Sequence, residues 1–349
     1  MNKHLYDLAY QFKKTVLWKN VFEEEMFAIR LDNGEFGYCS LMGRNGEHTA
    51  LAVYPGTSGL SSLRLAINRT GFRMSEVLIQ NCLQCSFEKR DQFSTEELEE
   101  VLNYCRNEGL PQRAPFAQFS KHSPYCVPWI IESESDVRTI EKALEVVLAL
   151  SDYLKTVTLE EAGLRGIRLE MDSESFFDDY SRTEPVTVPV YSVVDGKLHI
   201  DERVGLPAFE ERKTKEPVLL DKKTVDAYKN AVNKAEGLIL ECGIERVDSI
   251  ISGKPPYLPA MLFTVEHESG YAFLPVLGDK VDYDVDAMLE KFVGNLVASE
   301  VKPVEIRVRD YETWTLLKGF CTSCGIKLVR DSFLRMLDEV VESFNNMGF

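Results

Sequence analysis

The stretch MGRNGEHTALAVY, residues 42–54, decides how the N-terminal half of the chain is read. Its glycines, Gly43 and Gly46, could belong to a phosphate-cradling loop, and its Glu47-His48 pair could edge a metal site. A phosphate loop needs a strand followed by a helix, so that backbone amides and the helix N-terminus converge on the anion. Here strand-like runs stand on both sides, FGYCSLM (residues 36–42) before and TALAVY (49–54) after. Asn45-Gly46 tolerates the positive φ of a tight hairpin, so the glycines join strand to strand. In an extended segment Glu47 and His48 would point to opposite faces, which removes them as co-ligands.

Upstream, MFAIRL and the turn Asp32-Asn33-Gly34 add a third strand, giving an antiparallel meander. An amphipathic helix precedes it, with Leu5, Leu8, Phe12 and Val16 along one side. After it the pattern predicts a helix over Ser58–Asn68 and a strand in EVLIQNCLQCSF. Ser94 and Glu97 then form a capping box that starts a helix ending near Gly109. The segment LPQRAPFAQFSKHSPYCVPWII contains four prolines and reads as neither helix nor ordinary strand. Its Phe116, Phe119, Tyr125 and Trp129 are the candidate partner-binding residues, against the plainer reading that they pack over an adjoining sheet. A long helix over Asp136–Lys155 follows.

The composition then turns acidic, in LEMDSESFFDDYSRTEP. Asp172 and Glu174 alternate as calcium ligands would, but no glycine follows where the loop needs one, and a solvated linker fits better. The expected organisation is an N-terminal α+β domain over residues 1–158, an acidic linker region over 159–185 and a C-terminal domain over 186–349. The last opens with a hairpin about Asp195-Gly196 and a helix over Lys222–Glu236. From residue 260 it reads strand, turn, strand, helix, strand, helix, strand, helix, with Gly325 closing the second of these helices. Each half is thus expected to be a small mixed or antiparallel sheet with helices, and the overall class is α+β.

Several segments together resemble a family of uncharacterised bacterial proteins built from domains of unknown function. They are EFGYCSLMGRNGEHTALAVYPGTSGLSSL, SPYCVPW, PPYLPAMLFTVEHESG and KPVEIRVRD. The resemblance implies one domain type in each half and no known activity, substrate or cofactor.

The chain's 349 residues exceed one comfortable core. Its formal net charge of −16 disfavours a grip on nucleic acid or on an anionic membrane surface. No run has the length of a membrane span, and the N-terminus is too polar for a secretory signal. Eight cysteines in such a chain read as reduced cytoplasmic thiols.

Two CxxC pairs, Cys82-Cys85 and Cys321-Cys324, lie in different halves, and a strand turns the first pair to opposite faces. Zinc is not expected. The C-terminal element order is close to that of ribonuclease-H-like folds, in which acids on the first strand, after a later strand and on a late helix hold Mg or Mn ions. The matching residues here are Glu266 (or Glu268), Asp310, and Glu339 among the late-helix acids Asp338, Glu339 and Glu342. Asp310 is equally well placed to N-cap the helix starting at Tyr311. The leading expectation is a non-enzymatic binding or regulatory module with a protein partner and no cofactor. Its alternative is a divalent-metal phosphodiesterase or nuclease-like domain.

Overall fold

The computed structural model describes residues 2–44, 46, 48–68, 74–164, 187–207, 215–217, 222–231 and 237–347. The acidic stretch with Asp172 and Glu174, and Asn45 and Glu47 of the opening turn, lie outside the described residues. Two compact units emerge, one of residues 1–72 with 76–211 and one of residues 73–75 with 212–349. Both are α+β.

The first unit opens with helix α1 (Lys3–Thr15), capped by the Asn2 side chain, which accepts from the Leu5 amide. Leu5, Leu8 and Phe12 are buried as their spacing predicts, whereas Val16 lies beyond the helix at φ 50° and is exposed. Strands β1 (Phe27–Arg30), β2 (Phe36–Met42) and β3 (Ala50–Pro55) form the expected antiparallel meander. Met42 pairs with Ala50 across the turn that contains Gly43 and Gly46, both at positive φ, so the hairpin reading holds. The strand-to-helix step comes later, where α2 (Gly56–Asn68) leaves β3.

A short α3 (Met74–Val77) follows, and β4 is confined to Cys82–Glu88, shorter than the apolar run suggested. The Ser94–Glu97 capping box is present and starts α4 (Thr95–Asn107). The proline-rich segment corrects the sequence reading. It contains a seven-residue strand, β5 (Phe116–His122), fully paired with β4, and a two-residue β6 (Trp129–Ile130). Pro111, Pro115, Pro124 and Pro128 all fall outside these strands, so no ladder bond is lost. Helix α5 (Glu134–Tyr153) is capped by Ser133 and buries Ile140, Ala143, Leu144, Val147 and Leu150. A single turn, α6 (Leu159–Ala162), carries its own capping box.

The hairpin β7 (Thr187–Val194) and β8 (Lys197–Gly205) was expected to open the C-terminal half. Instead β7 pairs in parallel with β1, and the sheet runs β6-β5-β4-β3-β2-β1-β7-β8. The reason is burial. Val188 and Val190 join Ala28, Tyr38 and Leu60 in one core, while Tyr191 lies in another with Phe27, Ile29 and helix α5. Hairpin chemistry alone carries no information about which sheet a hairpin joins.

In the second unit, α7 (Lys222–Ala231) leads to β9 (Ile239–Arg246), β10 (Ala260–Glu266) and β11 (Val276–Leu277). Then α8 (Val285–Ala298), β12 (Glu305–Val308), α9 (Tyr311–Cys324), β13 (Lys327–Arg330) and α10 (Arg335–Asn346) alternate. The sheet order is β11-β10-β9-β12-β13. β10 is antiparallel to β9, while β12 and β13 run parallel to it. The first strand is therefore β9, not β10 as the spacing had suggested, and β11 is only two residues long. Leu240, Cys242 and Ile244 of β9 pack with α7, α8 and α9, whereas Phe263 and Val265 of β10 pack with Leu337 and Val341 of α10. Gly325 ends α9 in the left-handed conformation that glycine adopts without steric cost. Among the described residues, no helix is long and apolar enough to cross a membrane.

Candidate functional site

The polar chemistry of the second unit gathers on the sheet face that carries α10. Strand alternation turns Glu241, Gly243 and Glu245 to one face of β9 and Leu240, Cys242 and Ile244 to the other. A Cβ at Gly243 would sit 2.6 Å from Leu337 Cδ2, so glycine lets α10 lie against the strand without that side chain having to shift. Arg307 of β12 stands beside Glu241 in register.

Glu241 is fully buried. One of its oxygens accepts from the Leu337 amide at 2.8 Å, and the other lies 2.6 Å from His267 Nδ1. The first contact supplies what α10 lacks, since its N-cap position, Leu334, has no side-chain acceptor. A carboxylate at a helix N-terminus is also favoured by the helix dipole. His267 Nε2 lies 3.3 Å from Arg307 Nη1. A guanidinium only donates, so Nε2 accepts and the ring proton sits on Nδ1, where it is donated to Glu241. Arg307 donates further, to Glu305 at 2.8 Å and Asp331 at 3.5 Å, and Lys327 donates to the other Glu305 oxygen at 2.8 Å.

Two residues beyond Arg307, Arg309 donates to both Glu245 and Asp338. Burial alone would lower its pKa, but Glu245 and Asp338 outweigh that and raise it. The guanidinium thus occupies the space between two carboxylates, where a bound cation would otherwise be needed.

The three metal candidates of the sequence reading are not brought together. Glu266 ends β10 and folds over its own turn, accepting from the Glu268 and Ser269 amides. Bonds from Ser269 hold its pKa below the usual range. Asp310 N-caps α9, accepting from the Thr313 amide at 2.6 Å and from the Thr313 hydroxyl at 2.7 Å. That hydroxyl accepts in turn from the buried Ile244 amide at 2.8 Å, so the cap also pins α9 to β9. Burial pushes the Asp310 carboxyl up to about 6, against the Thr313 bonds that favour its charged form. Glu266 pairs with Leu240 and Thr313 bonds Ile244, roughly 13 Å further along β9 at about 3.3 Å per residue. Glu339 is exposed and bonded to Arg335 one turn earlier. Among the described residues, no group of three or more His, Cys, Asp or Glu side chains is placed to hold a metal ion.

The comparisons with other proteins follow the same division. Residues 3–164 match a family model described as a domain of unknown function (DUF7309), and residues 224–345 match another, domain of unknown function (DUF6930). The chain carries both domains, one in each half. No curated protein and no solved structure matches it. The polar face just described lies wholly within the DUF6930 match.

The partner candidates lie in the DUF7309 half. Phe116 and Phe119 are buried in the principal core, Phe119 edge-on to Tyr6 at 5.1 Å. Tyr125 is half-buried at φ 63°, with its amide bonded to the Leu78 carbonyl. Trp129, also half-buried, pairs with Lys121 across β5–β6. His48 of the opening stretch bonds Gln84 at 2.8 Å and lies 3.3 Å from Glu88, a structural role. All eight cysteines are free and buried, and burial pushes the Cys82 and Cys242 thiols up to about 12. Sequence reasoning passed over Glu241, Glu245, Arg307 and Arg309. The signal was there in ILECGIER and EIRVRD, where charges alternate with apolar residues along two strands.

Proposed function

We propose that the protein is a non-enzymatic binding or regulatory module of the cytoplasm that meets a protein partner through strand edges. The observation that carries this reading is Arg309 seated between Glu245 and Asp338. A two-metal phosphodiesterase keeps its converging carboxylates open to cations. Here the acids of the polar face are paired with Arg307, Arg309 and Lys327, hydrogen-bonded by His267, or spent as caps. A net charge of −16 argues in the same direction against nucleic acid as partner.

The strand order of the second unit favours a ribonuclease-H-like reading of its topology. Numbered within the unit, the strands run 3-2-1-4-5 with the second antiparallel to the rest. Topology licenses no chemistry by itself. The metal alternative and this reading separate in one experiment: calorimetric titration of the metal-free protein with Mn²⁺, beside Asp310→Ala, followed by assay on bis(p-nitrophenyl) phosphate. The binding-module reading expects no saturable heat and no turnover. Metal-dependent hydrolysis abolished by Asp310→Asn would overturn it.

A further inference from the structure

The sheet of the second unit is covered unevenly. The face of Leu240, Cys242 and Ile244 carries α7, α8 and α9, whereas among the described residues the other face carries α10. A helix about 10 Å across covers roughly two strands, and α10 lies on Gly243 of β9 and on Phe263 and Val265 of β10. To one side of it stand Glu305, Arg307 and Lys327, a charged surface that suits water. The other side is apolar. Met261 of β10 and Leu277 of β11 are directly paired and so share this face, where Met261 is half-buried and Leu277 is 45% exposed. The facing wall belongs to α10. Its Asp338 turns to Arg309 on the β12 side, so at about 100° per residue Met336 and Val340 fall on the opposite flank, toward β10 and β11. Both are half-buried, and a Cβ at Gly270, in the turn after β10, would lie 3.3 Å from Met336 Sδ.

The edge beside this flank is a poor template for a strand. From Val265 to Leu262 β10 advances three residues while the edge, from Ala272 to Val276, advances four, so a bulge interrupts it. Pro275 has no amide hydrogen, and the Leu274 carbonyl already accepts from the Asn295 side chain at 2.8 Å. What the flank offers is side chains. Its two ends are acidic, with Glu266 and Glu268 before Ala272, and Asp279 and Asp282 against Lys280 after Leu277.

We propose that this flank takes an amphipathic helix of a protein partner, with its apolar side on Met261, Leu277, Met336 and Val340 and its Lys or Arg side chains toward Glu268 and Asp279. From Ala272 to Leu277 the flank runs roughly 16 Å at about 3.3 Å per residue, the length of a helix of about 11 residues. Such a helix lies beside α10 and extends the layer that α10 begins. Thioethers suit the role, because methionine adapts its shape to what it meets. The inference rests on the reading of the protein as a partner-binding module, which the Mn²⁺ titration tests apart from this site.

The probe is a fluorescein-labelled 14-residue Leu/Lys peptide with leucines at i, i+3, i+4 and i+7, titrated with the full chain and followed by fluorescence anisotropy. Saturable binding is expected. Leu277→Asn should raise the Kd about tenfold or more, as loss of a central apolar anchor does. Glu268→Lys with Asp279→Lys should also weaken binding, and Ile200→Asn, an exposed apolar position in the first unit, should leave it unchanged. A peptide of the same composition with leucines at every second residue should bind at least tenfold more weakly. Circular dichroism confirms that each variant is folded, which the exposure of Leu277, Glu268 and Asp279 favours. No saturable binding, equal affinity for the alternating peptide, or indifference to Leu277→Asn would overturn the proposal. So would sedimentation showing a dimer of the chain that Leu277→Asn dissolves, since a second copy would then cover the flank.

Discussion

The proline-rich strand β5 of the first unit and the charged face of β9 and β12 in the second make opposite uses of residues that look functional. In β5, aromatics that composition would place in a groove are core: Phe116 is 2% exposed. On β9 and β12, acids that element order would place around metal ions are held by arginines and helix ends. In both places strand register, not residue type, decides whether a side chain is available. A strand assigns alternate residues to opposite faces, and a one-residue error exchanges core for surface.

Phe116→Ala should strike this comparison hardest. It removes a buried ring from the main core and should cost about 3–5 kcal/mol in chemical denaturation. A loss below about 1 kcal/mol would return Phe116 to the surface and reopen the groove. Glu241→Ala comes next. It strips the acceptor from His267 and from the α10 amide of Leu337 together, and should cost about 2–4 kcal/mol. Hydrogen exchange should show the N-terminus of α10 opening first.

Asp310 gives a pH signature. Its pKa rises on folding from 3.8 to about 6, so the native state binds more protons than the unfolded state between those values. Its ionisation therefore costs stability as pH rises from about 4 to about 6, by roughly 3 kcal/mol, and the cost is constant above that window. Asp310→Asn keeps a good N-cap and should abolish this slope. Parallel pH profiles of the two proteins would show that the Asp310 pKa does not change on folding. The smallest effect is expected at Trp129→Ala, within about 1 kcal/mol, since Trp129 is half-buried on a two-residue strand.

Much of the architecture was legible in the sequence. The meander, the Ser94 capping box, the Asp310 cap and the Gly325 stop all rest on local chemistry: turn residues that tolerate positive φ, and side chains that satisfy helix-end amides. What failed was non-local. No local feature says that β7 should run beside β1, because parallel pairing joins strands far apart in the chain. Nor does any local signal say which strand leads its sheet: GLILECGIERVDSII reads as strand-rich, but nothing in it marks β9 rather than β10 as the first strand. The charge network was hidden for the same reason. Arg309 and Glu245 are 64 residues apart in sequence and meet only once β12 lies along β9.

The buried cysteines turn the molecule into its own stopwatch. Five thiols lie in the first unit, at Cys39, Cys82, Cys85, Cys105 and Cys126, and three in the second, at Cys242, Cys321 and Cys324. A maleimide reaches them only when the chain around them opens, so peptide-resolved alkylation under native conditions times the breathing of each half separately. Two distinct labelling rates would mean that the halves open as independent units, and a single rate that they come apart together.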